Sequence, residues 1–219
     1  MSIALVLTYL SVISGFFPVL AALYNYRQLD KVLKIMALFC LLSVIPDMIG
    51  LVTAYILKLR SFNNLFLIHL YDMMAVIFFT VIYFKVFYKS IIKKITLILG
   101  IVALLAMLYN AIFIEGIRVY PSVSNTVLSI SLIVLSLIYF YQLLSRQEFM
   151  YIEKQGLFWI NSGVLFYYSI TIFLFMLYNK MTNDEHRAYY YMTQSVTNII
   201  SNLLFSVGLL CKPQNQKTH

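Results

Sequence analysis

Charge is what this chain has least of: Asp, Glu, Lys and Arg make up 11% of its 219 residues, against about 25% in an ordinary globular domain. That is too little polar surface to cover a water-soluble fold, and 62% hydrophobic residues make lipid the better solvent. Cysteine is nearly missing. Cys40 and Cys211 fall in or beside apolar runs, which excludes a disulfide framework and a four-ligand zinc site and leaves two free thiols as the expectation. No nucleophile elbow, phosphate loop, kinase motif or GxxxG pattern occurs in any segment, so catalysis has no positive signal. The opening MSIALVLTYL has no basic n-region and no small-residue cleavage site before Pro18, and it reads as a retained first helix. The net charge of +8 comes from bases spread through short polar stretches. With no soluble face to carry them, nucleic acid is not an expected partner.

What the chain does have is long apolar runs, at 2–24, 33–57, 65–88, 95–117, 126–145, 157–178 and 191–211. A spanning helix takes about 20 apolar residues, so each run is long enough and no length remains for an appended domain. The fifth, TVLSISLIVLSLIYFYQLLS, is the weakest, rich in serine but free of charge. The fold expected is all-α, a single transmembrane domain over 1–219 built as a seven-transmembrane-helix bundle. Basic loops are retained in the cytoplasm. With the N-terminus outside, the cytoplasmic set is Arg27, Lys31, Lys34, Lys85, Lys89, Lys93, Lys94, Arg146, Lys154, Lys212 and Lys217, against Lys58, Arg60, Arg118, Lys180 and Arg187 outside. The C-terminus is then cytoplasmic, and a multi-pass protein of a bacterial inner (plasma) membrane is expected.

Tyr and Phe gather near run ends, as in YFKVFYK (83–89), YFYQ (139–142) and AYYY (188–191), where amphipathic rings anchor helices at headgroup level. Pro18 and Pro46 lie inside runs, where a missing N–H and a ring clash predict kinks.

An ionisable side chain in hydrocarbon costs at least about 2.5 kcal/mol, so each one needs a partner, water or a proton. The candidates are Asp47 in the second run, His69 and Asp72 in the third, and Glu115 closing the fourth. His69 and Asp72 are three apart and share a helix face. Gln194, Asn198 and Asn202, at i, i+4 and i+8, predict a polar stripe on the last helix. Counted from the outer run ends, Asp47, Asp72 and Asn110 fall at similar depth. These positions predict an outer-half cavity, with Asp47, His69, Asp72, Asn110, Gln194 and Asn198 as its ligand-binding residues. The amides have an equal alternative as interhelical hydrogen bonds, worth about 0.6 kcal/mol each, and so does His69 as a structural histidine. Carboxyls are poor glue unless protonated or paired, which points Asp47 and Asp72 toward function.

Two comparisons with other seven-helix architectures fail on particular residues. Residues 191–211 contain no lysine for a retinal Schiff base. Ser43, Asp47 and His69 superficially resemble part of a ceramidase-type zinc site, but the last helix offers Gln194 and Asn198 where paired histidines would be needed, and the other histidines, His186 and His219, lie in a loop and at the tail. No catalytic residue, metal or cofactor is therefore assigned.

NNLFLIHLYD (63–72), FWINSGVLFYYS (158–169) and NIISNLLFSVGLLCK (198–212) resemble segments of small seven-helix membrane proteins of Bacteroidetes type. That resemblance implies the fold and a loose association with signalling proteins such as sensor histidine kinases. In the most specific segment, FWINSG, Trp159 is expected as an interface anchor and Asn161 as a helix-joining amide. The function expected is a sensor or receptor-like protein that binds a small ligand, proton or cation from outside and signals through a cytoplasmic partner. The alternatives are a small proton- or cation-coupled secondary transporter and an intramembrane lipid-modifying enzyme with His69 and Asp72 as acid and base.

Overall fold

The computed structural model describes residues 3–53, 65–145, 152–181 and 184–211. Their elements are α1 (Ile3–Ser14), α2 (Phe16–Asn25), α3 (Lys31–Leu51), α4 (Leu65–Val86), α5 (Ser90–Tyr109) continued by a π-helical turn (Asn110–Ile114), α6 (Ser122–Ser145), α7 (Gly156–Leu177) and α8 (Asp184–Leu210), with no strand among the described residues. Helix α6, with 24 residues, is about 36 Å long, enough to cross a bilayer.

The pattern of exposure is inverted relative to a water-soluble bundle. On α6 the inward residues include Ser124, Ser129, Ser131, Ser136 and Gln142, while Ile130, Val134, Leu137 and Leu144 face out. Its serines lower their polarity by donating to carbonyls one turn back: Ser129 to Asn125 at 2.7 Å and Ser131 to Val127 at 2.8 Å. On α8, Val196, Ile200, Leu203, Val207 and Leu210 are exposed while Ser195, Thr197, Ser201 and Asn202 are buried. Such a surface is stable only against hydrocarbon.

Six helical rods are long and apolar enough to cross a membrane: Ile3–Gln28, Lys31–Leu51, Leu65–Val86, Ser90–Ile114, Ser122–Ser145 and Gly156–Lys180. The chain is a multi-pass membrane protein by this measure. The seventh helix, α8, is not among them, because polar residues such as Gln194, Asn198 and Asn202 dilute its apolar face.

Consecutive helices are neighbours in space, and α8 returns to α1 and α2, closing a ring. Helix α4 also touches α6 and is drawn inward. Asn198 Nδ2 donates to Ser11 Oγ (2.9 Å), Asn202 Nδ2 to Ser14 Oγ (2.9 Å), and Asn25 Nδ2 to the Leu209 carbonyl (2.9 Å). Both helices advance together along this seam, so the first and last rods run parallel. The bundle end where α1 and α8 begin is called upper below, and the end where they finish, lower.

Several sequence expectations shift by a few residues. The first rod breaks at Gly15, one turn ahead of Pro18, whose ring displaces the carbonyl at position 14. Helix α3 passes through Pro46 without interruption. Residues 54–57 of the expected second span lie outside the described residues. Helix α8 begins seven residues before the expected start at 191. Of the expected anchors, Tyr88, Tyr141 and Tyr189 are exposed, but Tyr83, Tyr139 and Tyr190 are buried.

Candidate functional site

Helix α4 buries His69, Asp72, Ala75, Val76, Phe79, Ile82 and Tyr83. These positions recur every three or four residues, so the stripe faces the ring's interior, and Asp72 occupies one of its places. The carboxyl is 1% exposed, and Oδ2 has no hydrogen-bond partner. No lysine or arginine occurs between positions 61 and 84 or within 35–57, 155–179 or 188–211, so no cation shares its depth on α3, α4, α7 or α8. A carboxyl left this way is costly.

The charge of Asp72 is felt by several phenols. Tyr71 on α4, Tyr167 and Tyr168 on α7, and Tyr120 ahead of α6 are all within electrostatic range of Asp72. Tyr167 and Tyr168 pack edge to face at 4.9 Å. Tyr120 and Tyr190 close the upper side, sharing a 2.7 Å hydroxyl hydrogen bond in a cluster with Phe175. None of these tyrosines entered the sequence reading as a site. The signal that could have found them is the pairing of Tyr71 with Asp72 and the Tyr167–Tyr168 doublet, both well inside spans and away from headgroup level.

Asp47 lies eight residues above Phe39 on α3, about 80° around the helix from it, and Phe39 packs on Tyr71 at 6.1 Å. Unlike Asp72, Asp47 is exposed. It is within electrostatic range of Tyr71 and Tyr167, which are half-buried. Gln194, also half-buried, reaches the Tyr167 hydroxyl. Asp47, Tyr71, Tyr167 and Gln194 are thus less buried than Asp72, which is closed off.

The remaining expected residues divide. His69 is buried, and its Nε2 is 3.2 Å from the Val119 carbonyl. A carbonyl only accepts, so Nε2 carries the proton, and Nδ1 is left without a partner. Asn110 belongs to a separate knot at the upper end. Its Nδ2 donates to Glu115 Oε2 (2.7 Å) and Ser124 Oγ (3.0 Å), within the π-helical turn that joins α5 to the loop. Glu115 also accepts from Asn179 (3.1 Å) and from the Val123 N–H (3.3 Å), placing a carboxylate at the start of α6 where the helix dipole favours it. Asn198 binds Ser11 on α1. The single stripe expected of Gln194, Asn198 and Asn202 is therefore divided: Gln194 turns to α7, and the other two join α8 to α1. Over eight residues a straight helix drifts about 80° from a fixed line, enough to change neighbours.

A groove of about 380 Å³ also opens between the upper ends of α7 and α8, lined by Leu174, Lys180, His186, Tyr189 and Thr193, with Tyr190 at its floor. Among the described residues, no group of three or more His, Cys, Asp or Glu is placed to hold a metal ion. No protein-family model, no curated protein and no solved structure matches the chain.

Proposed function

We propose that this chain is a seven-helix membrane sensor or receptor-like protein that binds a small ligand, proton or cation at Asp72 and signals through a cytoplasmic partner. One observation carries this reading: a fully buried carboxyl with an unmet oxygen. A group that neutralises Asp72 binds one helix arrangement better than another and shifts the population accordingly. The upper end is the outer one. Of the described bases, Arg27, Lys31, Lys34, Lys85, Lys89, Lys93, Lys94 and Lys154 lie at the lower end against Arg118, Lys180 and Arg187 at the upper, and the positive-inside rule places the richer end in the cytoplasm. The lower connections between helices are short, and in this reading output passes to a cytoplasmic partner.

The second reading, a cation-coupled transporter, draws on the same pair, an open carboxyl at Asp47 and an occluded one at Asp72. The single tryptophan separates the two. Trp159 stands near the lower end of α7, its Nε1 donating to the Glu153 carbonyl at 2.7 Å. In a sensor, adding protons, sodium or small solutes to the outer face of proteoliposomes changes Trp159 fluorescence, an effect Asp72→Asn removes, with no net uptake. Uptake that depends on Asp72 would replace this reading with the transporter. No response of any kind would end both.

A further inference from the structure

We propose that the Asp72 recess is a binding site for a protonated alkylamine, an organic cation bearing N–H donors. This deepens the sensor reading and rests on it. Four buried polar atoms among the described residues lack a partner: His69 Nδ1, Asp72 Oδ2, Asn110 Oδ1 and Gln142 Nε2. The two on the inward face of α4, His69 Nδ1 and Asp72 Oδ2, are three residues apart and so on one side of the helix; with the imidazole neutral and the carboxyl ionised, both are acceptors. Unmet acceptors are answered by a donor. One buried carboxylate with no lysine or arginine at its depth is answered by one positive charge.

The chemistry of the walls narrows the cation. Magnesium and calcium require six or more oxygens, usually from several carboxylates, and the described residues supply no such cluster. Tyr71, Tyr120, Tyr167 and Tyr168 are instead the groups within electrostatic range of the carboxyl. Phenol oxygens accept ammonium N–H bonds, and aromatic rings attract a weakly hydrated organic cation more readily than they replace the water shell of a small metal ion.

The route in is chosen by charge. The groove between α7 and α8 is lined by Lys180 and His186, with no carboxylate among its lining residues. The side of Asp47 carries an exposed carboxyl, with the half-buried Tyr71 and Tyr167 within its electrostatic range. Asp72 itself is closed, so the amine must displace one of those two rings. Binding is thereby coupled to a rearrangement of α4 against α7.

Thermal unfolding and Trp159 fluorescence of the full chain in nanodiscs test this directly, with butylamine and phenethylamine as probes. Butanol controls for the alkyl chain, and tetramethylammonium for charge without N–H donors. Both amines are expected to raise the unfolding midpoint and change the fluorescence, with butanol inert and tetramethylammonium about ten-fold weaker, the loss expected for a missing charge-assisted hydrogen bond. Asp72→Asn should weaken the amines about ten-fold or more, and Tyr167→Phe by a smaller factor, in protein that remains monodisperse. A response to protons or sodium but not to amines overturns this inference and leaves the sensor reading standing. An amine response that Asp72→Asn does not alter also overturns it, by placing the amine elsewhere. Silence toward every probe removes both.

Discussion

At the residue scale, buried polar groups in this bundle fall into two kinds, and substitution separates them. Asn161 is of the first kind: it accepts from the Tyr83 hydroxyl at 2.5 Å and donates to the Ser136 carbonyl at 3.2 Å, while Tyr83 also meets Ser136 Oγ at 2.8 Å. Asn161→Ala leaves a buried carbonyl short of a donor and is expected to destabilise by about 1–3 kcal/mol, read as a lower unfolding midpoint with amine binding intact. Asn198→Ala, which loses the bond to Ser11, is expected to cost only about 0.6 kcal/mol, also without an effect on binding. Asp72 is the second kind. Its oxygen contributes nothing to the fold as it stands, so Asp72→Asn is expected to raise the unfolding midpoint while abolishing the ligand response, the trade expected where a binding site is kept at the expense of stability. The sequence marked Asp72 by its charge alone. It could not separate Asn198 from Gln194, because both sit on one face of a helix whose neighbours are known only once the ring is closed.

At the element scale, the tightest helix pair is α7 with α8. A Cβ built on Gly208 would lie 2.7 Å from the Gly156 carbonyl and 2.8 Å from Ile160 Cγ1, and one on Gly156 would lie 2.3 Å from the Gly208 carbonyl. Backbone faces backbone there, so neither side can yield by a rotamer change. Higher up the same crossing, Ser201 Oγ donates to the Gly163 carbonyl at 3.2 Å. Gly208→Val is expected to separate the helices at the lower end and cost about 1–3 kcal/mol or more, seen as a lower midpoint in detergent. Hydropathy located the helices to within a few residues because the bilayer sets their length. It missed the early start of α8, where DEHR is polar enough to read as loop. It also missed the break at Gly15, which depends on glycine and Pro18 acting together. The serines that made α6 look weak are the residues that face the interior, a pattern that average hydropathy does not register.

At the scale of the whole molecule, seven rods in a sequential ring, with the first and last parallel, put Ile3 and Cys211 at opposite ends of the bundle. Six rods qualify as spans by length and apolarity. The seventh qualifies only through its packing: polar residues inward against α1, α2 and α7, and a continuous line of Val196, Ile200, Leu203, Val207 and Leu210 outward. The placement of the Asp72 recess in the outer half and the cytoplasmic output both depend on that last crossing. It is tested most directly by labelling intact cells with a membrane-impermeant maleimide. Cys40, buried, is replaced by alanine, and two probes are compared: the native, partly exposed Cys211 at the lower end of α8, and a cysteine introduced by His186→Cys at its exposed upper end. The seven-crossing account predicts that the residue 186 probe reacts on intact cells and that Cys211 reacts only after the membrane is opened. Reaction of both on intact cells would mean that α8 does not cross, and would contradict the account.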